Sequence, residues 1–150
     1  MRWPLCLVAA LAACQPPPEE VVFVCEHGAA KSVVAAAVFN RLATQRGLRA
    51  RAVARGAAPQ EQLAKSAVDG LGGDGLAAGI DVPRALTADD VRQSSRIVTF
   101  DCDQATMKGL LGMGACWGDV PATGQGYARA RDAIRTHVEA LLDQMAGARR

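Results

Sequence analysis

Residues 21–32, Val-Val-Phe-Val-Cys-Glu-His-Gly-Ala-Ala-Lys-Ser, constrain the fold more than any other part of the chain. A continuous apolar run, typical of a strand buried on both faces, ends at Cys25. Five small or polar residues and Lys31 follow, and an apolar helical pattern begins at Ser32. The segment therefore predicts a strand, a tight loop and the first turn of a helix, with a thiol where the strand ends.

A loop of this kind has the properties of an anion-binding site. Its backbone N–H groups are expected to face inward, and the dipole of the following helix adds partial positive charge at the same point. The same surroundings favour the negatively charged form of a thiol. Cys25 is therefore a candidate nucleophile, and a tetrahedral oxyanion is its candidate substrate.

Strand and helix patterns alternate along the rest of the chain, which predicts an α/β fold with parallel strands. The chain has 150 residues and is 50% hydrophobic, which is enough for one compact domain. Strands are expected over 21–25, 49–55, 96–100 and 115–117. Helices are expected over 32–46, 59–70, 88–93 with Thr87 as N-cap, 103–111 and 127–145.

The carboxyl ends of parallel strands form the usual ligand-binding edge of such a sheet. The loop after Cys25, the loop at 101–103 and the segment 118–121 all follow predicted strands. We therefore expect these three loops to lie together on one rim.

Charge and composition exclude several classes of function. The net charge is +2 and aromatic residues make up 4% of the chain, so we expect no nucleic-acid partner. The histidines are His27 and His137, and the sequence contains no Cys-x-x-Cys pair. We therefore expect no metal and no cofactor.

Residues 1–20 are expected to precede the folded domain, which we place at 21–146. Residues 3–13 form an apolar run of eleven residues, too short to span a bilayer but typical of a secretory signal. The following Cys14 completes a sequence that resembles a bacterial lipobox, and 15–20 is a proline-rich tether. These features predict a signal peptide over 1–13, a lipid on Cys14 and an exported, periplasmic protein whose only membrane contact is that lipid. A plain secretory signal and a misassigned start codon are the alternatives.

Three cysteines remain in the domain, an odd number for an oxidising compartment. One solution is a disulfide between Cys102 and Cys116 that leaves Cys25 free. The other is a relay in which Cys25 attacks and a second cysteine resolves the product.

The order and spacing of several segments resemble the low-molecular-weight protein tyrosine phosphatases and the related thioredoxin-coupled arsenate reductases. Besides 21–32, they are Pro83–Thr87, the strand at 96–100, Trp117–Pro121 and Tyr127–Ile134. The resemblance covers most of 21–146. It implies a three-layer α/β sandwich with a four-stranded parallel sheet, of the phosphotyrosine phosphatase I type. It also implies a phosphate-binding loop of cysteine, five residues, arginine, then serine or threonine.

The resemblance assigns roles to the loop. Cys25 would accept the phosphoryl group, and Ser32 would hydrogen-bond its sulfur and keep it as a thiolate. The oxyanion would be bound by the loop residues Glu26, His27, Gly28, Ala29, Ala30, Lys31 and Ser32.

Two departures from the family pattern bear on turnover. Lys31 stands where the family has arginine, and losing a bidentate contact would cost about 2–4 kcal/mol, or roughly a 30- to 1000-fold loss of rate. The family places its acidic proton donor directly before a proline, whereas here Val120 precedes Pro121 and Asp119 lies one residue earlier. Asp119 is therefore the candidate general acid only if the loop shifts by one residue.

The expected function is a weak phosphomonoester hydrolase that acts through a Cys25 phospho-enzyme on a phosphorylated protein or a small phosphomonoester. One alternative is an arsenate reductase with Cys102 or Cys116 as the resolving thiol. That branch of the family carries its relay cysteine at the end of the third strand, where this chain has Asp101 followed by Cys102. The other alternative is a non-catalytic protein that binds a free oxyanion.

Overall fold

A computed structural model describes residues 15–76 and 82–149 as a three-layer α/β sandwich, which confirms the expected fold class. The predicted signal peptide and Cys14 lie outside the described residues. The strands are β1 Glu19–Cys25, β2 Ala50–Gly56, β3 Arg96–Thr99 and β4 Ala115–Cys116. The α-helices are α1 Lys31–Gln45, α2 Lys65–Gly73, α3 Ala88–Gln93 and α4 Tyr127–Gly147, and 3₁₀ helices cover Ala105–Leu110 and Thr123–Gln125.

The four strands are parallel and lie in the order β2-β1-β3-β4, so the strand that carries Cys25 is central. Alternate residues of β1 face two different apolar layers. Val21, Phe23 and Cys25 pack into the large core against α1 and α4, whereas Val22 and Val24 pack into a smaller core. Burial on both faces explains why the sequence of β1 is continuously apolar.

Two predicted helices differ from the observed ones. The helix expected over 59–70 begins only at Lys65, because 57–64 forms hydrogen bonds with the loop after β1 instead. The helix expected over 103–111 is a 3₁₀ helix over Ala105–Leu110. Glycine at position 109 disfavours an α-helix in so short a segment, which has no long apolar face to bury. In the described residues, no helix combines the length and apolar character needed to cross a membrane.

The Thr87 cap is confirmed. The Thr87 hydroxyl accepts a hydrogen bond from the Asp90 amide at 3.1 Å, and the Asp90 carboxylate accepts one from the Thr87 amide at 2.8 Å. This reciprocal capping box fixes the start of α3 and therefore the approach of the chain to β3.

Cys102 and Cys116 form a disulfide with a Cα–Cα distance of 6.3 Å, and Cys25 is a free, buried cysteine. This pairing is the one named first among the two alternatives that the sequence left open, and a completed relay would end in the same state. The disulfide joins the loop after β3 to the end of β4, at the carboxyl edge of the sheet.

Candidate active site

Cys25 is the last residue of β1 and is almost completely buried. Its Sγ atom lies 3.1 Å from the Oγ atom of Ser32, which is itself buried in the first turn of α1. The first amides of a helix have no partner within it, so the start of α1 presents N–H groups and positive charge to this region. A hydroxyl that donates to the sulfur favours its negatively charged form.

The loop between Cys25 and α1 is pressed against the end of β2. Gly28 has a φ of +62°, a backbone conformation that favours glycine. A Cβ atom on Gly28 would lie 2.8 Å from the nitrogen of Gly56, and a Cβ on Gly56 would lie 2.7 Å from the nitrogen of Gly28. The two glycines therefore allow backbone-to-backbone contact, which sets the curvature of the loop.

The segment 57–64 orients the peptide groups of this loop, a role that the sequence did not reveal. Its amides donate hydrogen bonds to carbonyl groups of the loop. Because C=O and the following N–H point in opposite directions across a trans peptide, the next amides of the loop face away from 57–64. The donor–acceptor pairs are Ala57–Cys25 at 3.1 Å, Ala58–Glu26 at 2.7 Å, Gln60–His27 at 3.2 Å and Ala64–Ala29 at 2.9 Å.

Lys31 is held by two acceptors at the rim of the loop. Its Nζ atom lies 2.5 Å from Oδ1 of Asp101 and 3.1 Å from the carbonyl oxygen of Val120. The other carboxylate oxygen of Asp101 accepts a hydrogen bond from the amide of Glu26 at 3.3 Å. The Asp101 carboxylate therefore accepts hydrogen bonds from the Lys31 ammonium and the Glu26 amide, two groups that we expected to bind an oxyanion. The sequence did not predict this role for Asp101.

These contacts confirm that the three loops meet on one rim. The side chains of Glu26 and His27 lie farther out on this rim. Oε1 of Glu26 accepts a hydrogen bond from Thr106 at 3.3 Å, and its other oxygen lies 3.7 Å from Nε2 of His27. More than half of the His27 side chain is exposed, and its Nδ1 atom lies 3.3 Å from the carbonyl oxygen of Ala58.

Asp119 is bound to His137 of α4. Its two carboxylate oxygens lie 2.8 and 2.9 Å from Nε2 of His137, whose ring stacks on Trp117 at 4.7 Å between centroids. The hydrogen bond from His137 lowers the pKa of Asp119 below its ordinary value of 3.8. A general acid must hold a proton, so this contact opposes the predicted role, which stays a prediction that requires Asp119 to leave His137.

Replacing His137 by phenylalanine is expected to raise the pKa of Asp119 toward its ordinary value of 3.8 while keeping an aromatic ring on Trp117. Because the pKa of Asp119 is depressed in the folded state, the contact stabilises the protein above the ordinary pKa and is lost as the pH falls through the folded-state value. An NMR titration of the carboxyl carbons measures the pKa of Asp119 in the unmodified protein and in His137→Phe. Asp74 is an internal reference whose titration should be the same in both proteins. An Asp119 titration that is identical in the two proteins would contradict the assignment.

Comparison with known proteins places this site in a family context. The family model for low molecular weight phosphotyrosine protein phosphatases matches residues 20–111. A search of curated proteins found no match.

Solved structures with low identity share the fold. YfkJ from Bacillus subtilis is 19% identical, with a TM-score of 0.75 over 91% of this chain and 99% of its own. A YwlE mutant from Bacillus subtilis is 18% identical, with a TM-score of 0.72 over 85% and 99%. A thioredoxin-dependent arsenate reductase from Corynebacterium glutamicum is 19% identical, with a TM-score of 0.68 over 88% and 64%. Since the family match spans more than half of the sequence, the chain belongs to the low molecular weight phosphotyrosine protein phosphatase family.

Proposed function

We propose that this protein hydrolyses phosphomonoesters slowly through a phosphorylated Cys25. The observation that carries the proposal is the buried Cys25 sulfur, 3.1 Å from the Ser32 hydroxyl, at a loop whose amides face away from the 57–64 segment. This arrangement supports a thiolate and a bound oxyanion at the same place.

The proposed reaction has two steps. The Cys25 thiolate attacks phosphorus, and the bond from phosphorus to the ester oxygen breaks, so that the leaving oxygen departs with the electron pair and is then protonated by water. Water then attacks the phosphorylated cysteine, the S–P bond breaks, and the thiolate and inorganic phosphate are released. The loop amides stabilise the negative charge on the phosphoryl oxygens in both steps.

Two contacts support slow turnover. The Lys31 ammonium is bound to Asp101, and Asp119, the nearest sequence candidate for proton donor, is bound to His137. Without a proton donor the leaving oxygen must depart as an anion, which favours esters of acidic phenols. Loss of general acid help costs on the order of 10²- to 10⁴-fold for esters with basic leaving groups.

The test is hydrolysis of p-nitrophenyl phosphate by the full chain. We expect measurable turnover that disappears in Cys25→Ser, and at least about a 100-fold lower rate with an alkyl phosphate. Calorimetry with inorganic phosphate shows whether Cys25→Ser keeps its binding site. Turnover that survives in Cys25→Ser would overturn the proposal, and phosphate binding without turnover would identify the protein as a non-catalytic oxyanion-binding protein.

Arsenate reduction is the second candidate, favoured by the Cys102–Cys116 disulfide beside a free Cys25. A three-thiol relay ends in this state. Cys25 would add to arsenate with loss of water, Cys102 would attack the Cys25 sulfur and release arsenite, and Cys116 would then attack Cys102 and free Cys25. A dithiol reductant would reopen the disulfide. Arsenate-dependent consumption of that reductant, lost in Cys102→Ser, distinguishes this reaction from phosphatase activity.

We also propose that the protein is exported and lipidated on Cys14. The support is the lipobox-like sequence that ends at Cys14 and the proline-rich tether that follows it. The intact mass of the mature protein tests this proposal, because it should correspond to a chain that begins at Cys14 and carries a lipid. An unmodified N-terminus at any other residue would overturn it.

A further inference from the structure

We propose that the Cys102–Cys116 disulfide is a redox lock on the anion-binding loop. In the oxidised protein it holds Asp101 against Lys31 and the Glu26 amide, and its reduction releases Asp101 and opens the loop to oxyanions. The inference depends on the proposed function only for the assignment of this loop as an oxyanion site.

The disulfide joins the two segments that hold Lys31. Asp101, which accepts a hydrogen bond from the Lys31 ammonium, directly precedes Cys102. Val120, whose carbonyl oxygen is the second acceptor, lies four residues after Cys116. One covalent bond therefore links the two segments whose acceptors bind the Lys31 ammonium.

The backbone of Asp101 favours release once the lock is opened. Asp101 has a φ of +54°, a left-handed conformation that costs free energy for a residue with a side chain, although aspartate adopts it more readily than most. The contacts at Asp101 are its two carboxylate hydrogen bonds, a hydrogen bond from the Gln104 amide to its carbonyl at 2.8 Å, and the disulfide at the next residue. Relaxation to an extended backbone would withdraw the carboxylate from Lys31.

The two residues of β4 are weakly held without the disulfide, and the core anchors the chain again only at the buried Trp117 that follows them. β4 has two residues, both exposed, and it pairs with β3 at Ala115 and Cys116 only. A short edge strand with little buried surface opens easily, because few contacts oppose its separation. The disulfide is therefore the strongest connection between this strand and the loop that carries Asp101.

The redox step needs a dithiol as reductant. A dithiol thiolate attacks one sulfur of the disulfide and forms a mixed disulfide, and its second thiol then displaces the protein sulfur. Cys102 and Cys116 become two thiols, and the reductant becomes a disulfide. Cys116 is exposed to solvent, so a dithiol in solution can reach it.

The test measures the affinity for inorganic phosphate by calorimetry in the full chain carrying Cys25→Ser, so that Cys25 cannot take part in the redox chemistry. We expect dithiothreitol to tighten phosphate binding by about tenfold, because reduction removes a carboxylate from the anion site. An affinity that stays the same or weakens on reduction would overturn the proposal. Phosphate that binds in neither redox state would overturn it as well.

Two further variants, made in the same chain, separate the lock from other effects. The Cys102→Ser/Cys116→Ser double variant should bind phosphate with the affinity of the reduced protein, and dithiothreitol should not change that affinity. Circular dichroism shows whether this variant is folded. Asp101→Asn keeps the disulfide and should lose the response to dithiothreitol, because no carboxylate remains to be released. A full tenfold response in Asp101→Asn would contradict the proposal even if the double variant fails to fold. If phosphate binding depends on the redox state but the protein that keeps Cys25 shows no turnover, the proposed phosphatase function would be overturned and this inference would stand.

Discussion

Replacing Gly28 by alanine is expected to lower the free energy of unfolding by about 2–5 kcal/mol and to abolish phosphate binding. Two effects add. The φ of +62° is unfavourable for alanine, and the new Cβ would lie 2.8 Å from the nitrogen and 2.9 Å from the Cα of Gly56. Because both atoms belong to the backbone of β2, the loop must move, and its amides lose their common direction. Urea unfolding and calorimetry with phosphate measure the two consequences.

The chain provides a matched control in Gly47, which has a φ of +63° and open space within 4 Å of the position that a Cβ would take. Gly47→Ala should cost only the backbone preference, about 1–2 kcal/mol, and leave phosphate binding unchanged. Gly56→Ala tests the steric contact by itself, since its Cβ would lie 2.7 Å from the Gly28 nitrogen and Gly56 has no positive φ. Equal losses of stability in Gly28→Ala and Gly47→Ala would show that the contact with Gly56 does not shape the loop.

Replacing Asp101 by asparagine is expected to tighten phosphate binding by roughly 10- to 100-fold in the oxidised protein. The carboxylate neutralises the Lys31 ammonium at 2.5 Å and accepts a hydrogen bond from the Glu26 amide, so it competes with an oxyanion for both. At an effective dielectric constant of about 20, a like charge about 5 Å away costs roughly 3 kcal/mol, and partial exposure to solvent reduces this figure. Calorimetry with inorganic phosphate gives the affinity directly.

Asp69→Asn is the control for this prediction, because Asp69 also pairs with a lysine, Lys65, but on the exposed surface of α2. It should leave phosphate affinity unchanged. Weaker phosphate binding in Asp101→Asn would mean that Asp101 positions Lys31 for the anion instead of competing with it.

The part of the site that depends on adjacent residues could be predicted from the sequence. The apolar run of β1, the loop after Cys25 and the start of α1 are local patterns, and the structure confirms them. The Thr87 cap was also predictable, because a capping box spans only four residues.

The parts that could not be predicted depend on contacts between distant residues. The pattern over 59–70 is helical in its apolar spacing, yet hydrogen bonds to the loop keep 57–64 out of the helix. Asp101 and Asp119 were recognised as rim residues, but their partners, Lys31 and His137, lie 70 and 18 residues away. No periodicity in the sequence specifies which side chain a carboxylate will bind across such separations.

The length of β1 separates the point where the tether joins the domain from the candidate active site. The strand has seven residues, from Glu19 to Cys25, so its two ends are about 20 Å apart at the usual rise per residue. The tether enters at the first end, and Cys25, the proposed nucleophile, lies at the other. If Cys14 carries the proposed lipid, the membrane surface would therefore lie on the opposite side of the domain from the loop after Cys25. Phosphorylated molecules that diffuse past could approach it freely, whereas headgroups of that same surface would be out of reach.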